Sequence, residues 1–255
     1  MKINANAKIN LYLDVVSKRS DGYHNIESIM QEINLFDVLD FYEIDDDKII
    51  LEVFGKFAVA NNNDNIVYKT AEILKKRFGI KKGVKICLEK NIPFGAGLGG
   101  GSSDSANALK ALVKLWNIKI SDQEMNEIAS LLGSDVPFFL DGGKAFVEGR
   151  GEIITKISNY KNFDIVLVYP NLNISTKEIY GRLNLGLTKD SKKCSITHLI
   201  EQSFEGHFFN KFEEVVFEIA PAIKSIKHEL LDFGAKASLM SGSGSSIFAL
   251  FDSES

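Results

Sequence analysis

The sequence predicts a protein of mixed α-helices and β-strands in two domains. Residues 5–15 alternate between apolar and polar side chains, which is the period of a β-strand. Asn65 is an N-cap residue directly before a helical pattern over residues 66–78. The composition changes near residues 158–163, so we expect an N-terminal domain over residues 1–158 and a C-terminal domain over residues 159–255.

The other elements of the N-terminal domain follow from the same two periods. In the first strand, the apolar side chains are expected to face the core and the polar ones, including Lys8 and Asn10, to face away from it. Ser121 opens a capping-box pattern for a helix that stops at Gly133. Further strands are predicted at residues 29–36, 49–57, 84–88, 145–147 and 153–157.

The C-terminal domain is predicted to contain strands and helices on either side of a polar loop over residues 184–196. The strands are expected at residues 165–169, 237–240 and 246–251. The helices are expected at residues 176–183, 208–219 and 223–233.

Composition and charge exclude several classes of protein. An apolar content of 45% and a charged content of 25% are ordinary for a globular chain, and a net charge of -4 favours no nucleic acid partner. Cys87 and Cys194 form no metal-binding motif, and the N-terminus has no signal-peptide core. Because no apolar run approaches the roughly 20 residues that cross a bilayer, we expect a soluble cytoplasmic protein with no membrane partner.

The strongest chemical signal is a glycine-rich loop between a predicted strand and a helix expected to begin near Ser102 or Ser103. Glycine tolerates positive φ and has no side chain, so consecutive backbone amides can converge on a phosphate. The helix adds free N–H groups and the positive end of its dipole. The alternative, a flexible turn without a ligand, is disfavoured by this order of elements. The loop consists of Pro93, Phe94, Gly95, Ala96, Gly97, Leu98, Gly99, Gly100, Gly101, Ser102 and Ser103.

Two familiar phosphate-binding motifs do not fit this loop. The P-loop pattern requires a lysine after its last glycine, whereas Ser102 follows Gly101. Gly95, Gly97 and Gly100 match the spacing of the dinucleotide fingerprint, but that fold needs a second strand soon after the helix. Residues 121–132 are predicted as a capped helix instead, which excludes a Rossmann unit.

Three further segments carry polar residues suited to phosphoryl transfer. Asp135 follows the predicted helix stop and could accept a proton from an alcohol, or could close a turn. Lys8 could stabilise charge on a transferred phosphoryl group, or could be a solvated strand lysine. Residues 241–246, a run of serine and glycine between two strands, could form a hairpin turn or direct amides toward an anion.

Taken in order, these segments resemble the GHMP kinase superfamily of small-molecule kinases. The most specific signals are Ala7-Lys8-Ile9-Asn10-Leu11, Arg19-Ser20-Asp21-Gly22-Tyr23-His24 and the triple glycine at residues 99–101. The resemblance extends through residues 133–139, 145–151 and 242–246, and residues 184–235 are its least informative part. It implies a two-domain α+β fold, with an N-terminal domain like domain 2 of ribosomal protein S5 and a ferredoxin-like C-terminal domain.

Within the superfamily the sequence is most similar to kinases that act on a cytidine-diphosphate ester of methylerythritol, in the non-mevalonate route to isoprenoid precursors. The resemblance implies transfer of the γ-phosphoryl group of ATP to the 2-hydroxyl of that alcohol, with Mg²⁺ on the phosphates. It implies that Lys8 and Asp135 are catalytic, with Asp135 either taking the proton or orienting the hydroxyl. The residues implied in substrate binding are Asn10, Tyr23, His24, Thr176 and Tyr180. Those implied around the adenine and ribose of ATP are Asn65, Lys90 and Asp104.

The resemblance leaves two alternatives open. The chain could be a superfamily kinase for a different alcohol, against which Tyr23 and His24 argue. It could instead be a non-catalytic nucleotide-binding relative, against which the presence of Lys8 and Asp135 argues.

The sequence also departs from the superfamily pattern at three places. Ser245 and Ser246 stand where proline and threonine are usual, and Ser105 stands where alanine is usual. The superfamily would begin a final helix where this sequence ends at Ser255. A protein of this kind is expected to be a monomer or a weak homodimer.

Overall fold

The computed structural model describes residues 1–57, 59–158, 163–183 and 208–252. The loop predicted over residues 184–196 lies outside them. The described strands are β1 (Lys2–Lys18), β2 (His24–Ile44), β3 (Ile49–Gly55), β4 (Gly83–Lys90), β5 (Lys144–Gly149), β6 (Ile153–Lys156), β7 (Phe163–Val168), β8 (Phe209–Asn210), β9 (Ala237–Met240) and β10 (Ile247–Asp252). The described helices are α1 (Ile66–Phe78), α2 (Gly100–Leu115), α3 (Asp122–Leu132), α4 (Phe138–Asp141), α5 (Thr176–Arg182), α6 (Glu213–Ile219) and α7 (Pro221–Asp232).

The chain divides into two compact units that are interleaved in sequence. The first unit contains Met1–Lys8, Glu32–Phe94 and Gly99–Gly142. The second contains Ile9–Gln31, Gly95–Leu98 and Gly143–Ser255. The domains predicted over residues 1–158 and 159–255 differ from this division, because the long strands β1 and β2 each contribute residues to both units. That linear boundary stays a prediction.

The first unit combines a sheet with four helices. Strand β4 pairs with β3 in parallel and with β2 in antiparallel orientation, so that Val38 lies opposite Glu89. Val84, Ile86 and Leu88 are fully buried, as their alternation predicts. Helix α1 packs on β3 and α2, and α2 packs on α3 and α4.

Helices α1 and α3 begin and end where their sequences predict. The side-chain oxygen of Asn65 accepts a hydrogen bond from the N–H of Val67 at 2.9 Å, and Gly79 ends α1 with a φ of 64°. Ser121 caps α3 by accepting from the N–H of Glu124 at 3.2 Å, and α3 ends at Gly133.

The second unit contains a three-stranded antiparallel sheet in the order β7-β10-β9. Strand β5 pairs with β2 and β6, and the short strand β8 pairs in parallel with β1. Helices α5, α6 and α7 supply apolar side chains to its core. That core contains Leu13, Val15, Ile26, Ile179, Phe212, Val215, Val216, Ile223, Met240 and Ile247. Both units mix helices and strands, so the predicted α+β class is confirmed.

Four predicted details are wrong. Strand β2 continues to Ile44 rather than ending near residue 36, because a buried acid, Asp37, interrupts the apolar pattern without interrupting the strand. Helix α2 begins at Gly100 rather than near Ser102, since glycine is a poor helix former but is tolerated in a first turn. The helix predicted from residue 208 begins only at Glu213, after strand β8.

The fourth correction concerns the polar side of β1. Lys8 and Asn10 are 3% and 1% exposed, so both sides of the strand are buried at this point. Alternation of apolar and polar residues shows that the two sides of a strand differ in polarity. It does not show that the polar side is exposed, because a second layer of protein can cover that side as well. Among the described residues, no helix combines the length and apolar character needed to cross a membrane.

Candidate functional site

The glycine-rich loop follows β4 and leads into α2, as its sequence predicts. Gly95, Gly97 and Gly99 adopt φ values of 65°, 77° and 68°, a region that residues with a Cβ rarely enter. Phe94 at the tip is 69% exposed, whereas Ala96 and Leu98 are buried. The loop therefore alternates buried apolar anchors with glycines that turn the backbone.

The first turn of α2 has the properties of an anion-binding site. Its N-cap is Gly99, which offers no side chain to accept from the first N–H groups of the helix. Those groups and the helix dipole of a 16-residue helix favour a negative charge at this end. Ser102 in this turn is half-buried, and Ser103 is fully buried with its carbonyl bonded to Asn107.

Lys8 lies directly beside this helix end. A Cβ placed on Gly99 would lie 3.1 Å from Cγ of Lys8 and 2.9 Å from Cζ of Phe139. Glycine at this position therefore allows the loop to approach both side chains closely. The first unit thus brings together the end of the loop at Gly99 and one of the two predicted catalytic residues.

Asp135 is the second predicted catalytic residue, and it pairs with Lys8. Its Oδ2 lies 3.9 Å from Nζ of Lys8, a separation that makes an ion pair but is too long for a direct hydrogen bond. The lysine side chain is 4% exposed and the aspartate side chain 31% exposed. One partner is therefore shielded from water while the other remains accessible to a substrate.

Burial lowers the pKa of Lys8 below its ordinary value, and the negative charge of Asp135 opposes part of that change. A lysine with a lowered pKa releases its proton more readily than a solvated one. Charge on Lys8 therefore depends on the neighbouring carboxylate, which couples the two residues electrostatically.

The segment that carries Asp135 is held from two sides within the first unit. The N–H of Val136 donates to the carbonyl of Gly133 at 3.2 Å, which closes the turn. Nζ of Lys110, on α2, donates to the carbonyls of Phe139 and Leu140 at 3.0 and 3.2 Å. Sequence reasoning missed Lys110; its spacing on a helix face gave no signal that it would reach the α4 carbonyls.

The residues predicted around adenine and ribose form hydrogen bonds and ion pairs with other residues of the first unit. Asn65 uses its oxygen to cap α1, and its amide donates to the carbonyl of Ala60 at 2.7 Å. Nζ of Lys90 pairs with Asp104 at 2.7 Å and also with Asp37. Burial alone would lower the pKa of Lys90, but the charges of Asp104 and Asp37 outweigh it and raise that pKa.

Asp37 is a buried charged residue that sequence reasoning missed. The signal was present, since Asp37 shares the buried side of β2 with Leu39 and Phe41, two and four residues later. Lys90 likewise continues the buried series of β4. Because β2 and β4 pair with Val38 opposite Glu89, the next position along the ladder brings Asp37 and Lys90 together.

The second unit contains the residues predicted to bind the alcohol substrate. The amide of Asn10 donates to the hydroxyl of Ser28 at 2.8 Å, and that hydroxyl donates to the carbonyl of Tyr12 at 2.7 Å. Asn10 is therefore fixed in a buried chain of hydrogen bonds. Ser28 is a further residue that the sequence alone did not mark.

Three aromatic residues of the second unit form a group. The rings of His24 and Tyr180 stack with centroids 4.7 Å apart and planes 22° apart, and Tyr180 meets Phe212 edge to face at 4.9 Å. Burial lowers the pKa of His24, with a smaller contribution from the charge of Lys18. Tyr23 is exposed, and the guanidinium of Arg150 lies 4.6 Å from its ring centroid.

The serine and glycine loop at residues 241–246 packs against residues Gly95–Leu98, the part of the glycine-rich loop that belongs to the second unit. The hydroxyl of Ser241 donates to the carbonyl of Gly97 at 2.9 Å, and the N–H of Ser246 donates to the carbonyl of Ala96 at 3.2 Å. A Cβ on Gly97 would lie 1.9 Å from the carbonyl oxygen of Ser241. The hydroxyl of Ser245 donates to the carbonyl of Leu172 at 2.6 Å.

Asn210 fixes this serine and glycine loop, and it too was missed from sequence. Its amide donates to the carbonyls of Met240 and Gly242 at 2.7 and 2.8 Å, and its oxygen accepts from the N–H of Phe212 at 2.9 Å. Thr176 also reaches the loop, with its hydroxyl 2.8 Å from that of Ser243. All four contacts lie within the second unit.

Comparison with known proteins supports the kinase assignment. The family model for the N terminal domain of GHMP kinases matches residues 65–143, and the model for the C terminal domain matches residues 195–255. A 4-diphosphocytidyl-2-C-methyl-D-erythritol kinase of Listeria monocytogenes is 44% identical over 98% of this chain and 87% of its own length. One of Bacillus velezensis with the same name is 43% identical over 98% of this chain and 88% of its own length.

A solved structure agrees with these relatives. The crystal structure of a 4-(cytidine 5'-diphospho)-2C-methyl-D-erythritol kinase superposes with a TM-score of 0.79 at 32% identity, over 98% of this chain and 90% of the other. Two family models, near full-length sequence similarity and a shared fold therefore agree on one family. This chain belongs to the GHMP kinase family.

Proposed function

We propose that this protein transfers the γ-phosphoryl group of ATP to the 2-hydroxyl of 4-diphosphocytidyl-2-C-methyl-D-erythritol. The observation that carries the proposal is the Lys8–Asp135 pair beside the uncapped first turn of α2. Phosphoryl transfer needs an anion site, a positive charge near the transferred group and an oxygen that aligns the nucleophile. The first unit supplies all three.

In the proposed reaction, the substrate hydroxyl oxygen attacks the γ-phosphorus while the bond to the bridging oxygen of ADP breaks. The carboxylate of Asp135, whose side chain is 31% exposed, orients this hydroxyl and accepts its proton in this proposal. Lys8 places a positive charge where negative charge develops on the transferred group. The free N–H groups of α2 hold the phosphates in line.

ATP is the phosphoryl donor of the family, and we propose that it arrives with Mg²⁺. Mg²⁺ prefers oxygen ligands and is commonly bound by substrate phosphates with one or two protein oxygens. The hydroxyl of Ser102 and the carboxylate of Asp135 are half-buried oxygen groups in the first unit. Among the described residues, no cluster of three or more His, Cys, Asp or Glu side chains could hold a metal ion. When bound, the ion neutralises charge on the phosphates.

The second unit supports the choice of a cytidine substrate. Exposed Tyr23 offers a ring face for a base, and His24 stacked on Tyr180 presents an imidazole held in one orientation. Asn10 and Thr176 are proposed to contact the methylerythritol end. The names of the relatives agree with this choice.

The proposal extends to the setting of the reaction. We infer that the product feeds the non-mevalonate route to isoprenoid precursors, in the cytoplasm, by a monomer or weak homodimer. A net charge of -4 supports the absence of a nucleic acid partner.

An ADP-release assay with a panel of alcohols tests the substrate. Turnover is expected with the cytidine-diphosphate ester, and with neither mevalonate nor homoserine. Tyr23→Ala should raise the KM for this ester while leaving the KM for ATP unchanged. Turnover on another alcohol alone would remove the substrate assignment, and ADP release from none of them would remove the kinase assignment.

A further inference from the structure

Three charged side chains form a buried cluster at the base of the glycine-rich loop. Asp37, Lys90 and Asp104 are 0%, 3% and 2% exposed. Nζ of Lys90 donates to both carboxylates, at 2.7 Å in the case of Asp104. Each residue comes from a different element: β2, the end of β4, and the first turn and a half of α2.

Asp37 also binds the backbone that enters the loop. Its Oδ1 accepts from the N–H of Asn91 at 2.5 Å and from the N–H of Ile92 at 2.8 Å. These are the two residues between the end of β4 and Pro93. One carboxylate therefore holds the entry to the loop through Oδ1 and holds Lys90 through Oδ2.

The far end of the loop contacts the same residues. A Cβ on Gly100, the first residue of α2, would lie 2.8 Å from Cγ2 of Ile92 and 3.4 Å from Nζ of Lys90. Lys90 in turn holds Asp104 one turn further along the helix. Entry and exit of the loop are thus connected through one buried ion cluster, and all of these contacts lie within the first unit.

We propose that Asp37 is a positioning residue for ATP binding, which acts through its bonds to Lys90 and to the backbone of Asn91 and Ile92. The cluster holds the two ends of the loop at the separation that lets the first amides of α2 face a phosphate. This inference rests on the proposed function only in that the loop binds ATP phosphates.

The composition of the cluster favours this role over a purely stabilising one. Two carboxylates and one ammonium are costly to bury, and an apolar cluster would stabilise a fold equally well. Charged hydrogen bonds, in contrast, restrict the distance and the angle between donor and acceptor. A loop whose amides must keep fixed positions toward a phosphate requires such a restriction. Asp104 keeps one buried oxygen without a partner among the described residues, a cost that stability alone does not explain.

The test separates backbone anchoring from charge with two variants of one residue. Asp37→Asn keeps an oxygen that can accept from Asn91 and Ile92, whereas Asp37→Ala keeps none. We expect Asp37→Ala to raise the KM for ATP by about tenfold and Asp37→Asn by about threefold, because the amide keeps the acceptor for Asn91 and Ile92 but loses the charged bond to Lys90. Asp40→Asn, three residues further along the same strand, is the matched control and should leave the KM unchanged.

Hydrogen exchange supplies a readout that does not depend on the alcohol substrate. Amides of residues 91–94 and 99–103 should exchange faster in Asp37→Ala than in the wild type, while those of α3 keep their protection. Binding of a non-hydrolysable ATP analogue should weaken in parallel with the KM. If the proposed alcohol is wrong, these measurements still stand; if analogue binding is absent in the wild type, the kinase function itself fails.

Two outcomes overturn the proposal. One is wild-type ATP affinity and wild-type exchange in Asp37→Ala. The other is a loss of ATP affinity in Asp37→Ala while the amides of residues 91–94 and 99–103 exchange at the wild-type rate, which would separate the effect from the position of the loop. If Asp37→Ala does not fold, Lys90→Met takes its place, and unchanged exchange at residues 99–103 in that variant would equally contradict the role.

Discussion

Nζ of Lys8 lies 3.9 Å from Oδ2 of Asp135, with the lysine buried and the aspartate one-third exposed. The pair is asymmetric, because only the carboxylate is accessible to an incoming hydroxyl. The lysine depends on that carboxylate to offset the effect of burial on its pKa. If the proposed roles hold, removing the charge of Asp135 should affect both the orientation of the substrate hydroxyl and the charge of Lys8.

The first prediction concerns Asp135→Asn. The amide cannot accept the substrate proton and no longer supports the charge on Lys8, so kcat should fall by about 10²–10⁴. Binding of a non-hydrolysable ATP analogue should stay within about threefold of the wild type, because α2 and the loop are unchanged. Asp122→Asn, in the exposed first turn of α3, is the control. A variant with full turnover would exclude Asp135 from the reaction.

The second prediction concerns Gly97→Ala. A Cβ at this position would lie 1.9 Å from the carbonyl oxygen of Ser241, at a φ of 77°. The clash is between the backbones of residues 97 and 241, which cannot move apart without breaking other contacts. ATP affinity should therefore fall by at least about tenfold, and the free energy of unfolding should decrease by more than about 1 kcal/mol. Urea denaturation and ATP titration measure the two effects.

Gly181→Ala is the matched control for this substitution. Gly181 lies in α5 with nothing within 4 Å of its Cβ position. Alanine there should stabilise the protein by roughly 0.5–1 kcal/mol, because it is the better helix former. Equal behaviour of the two alanine variants would show that the close approach at Gly97 has no consequence.

The third prediction concerns Asn210, whose amide donates to the carbonyl of Met240 at the end of β9 and to that of Gly242 in the loop at residues 241–246. Asn210→Asp keeps the oxygen that accepts from Phe212 but replaces both donated hydrogen bonds with repulsion between oxygens. We expect a loss of about 2–4 kcal/mol in the free energy of unfolding, and a raised KM for ATP because the loop supports Ala96 and Gly97. Asn126→Asp, on the exposed side of α3, should change the free energy of unfolding by less than about 0.5 kcal/mol. An unaltered KM in a folded Asn210→Asp variant would separate this loop from ATP binding.

The fourth prediction concerns the pH dependence of stability at Lys144. Lys144 is 5% exposed, and this burial lowers the pKa of its side chain from 10.5 to about 8. Between these two values the unfolded chain binds a proton that the folded chain does not. The contribution of this group to stability therefore rises with pH from about 8 to 10.5, and the full penalty is present at pH 7.

Lys144→Met should accordingly stabilise the protein at pH 7, by up to about 3 kcal/mol, and by little above pH 10.5. Urea denaturation at pH 7 and pH 9.5 measures the difference. The exposed lysine Lys224 provides the control through Lys224→Met. A variant that is less stable than the wild type at pH 7 would contradict the assigned cost of burial.

Local signals in the sequence determined much of the site. The cap at Asn65, the glycines with positive φ and the helix stop at Gly133 depend on the preferences of single residues and their immediate neighbours, so they appear where predicted. The position of Lys8 in a strand and of Asp135 after a helix was predicted in the same way. That the two form a pair was implied only by resemblance to the family.

The tertiary structure alone decided which polar groups are buried together. Asp37 and Lys90 lie 53 residues apart, and only the antiparallel register of β2 and β4 makes them neighbours. Asn210 marks no motif, and its role depends on carbonyls 30 and 32 residues further along. A local pattern shows which side of an element a residue occupies, but pairing between distant segments depends on burial and hydrogen bonding summed over the whole fold.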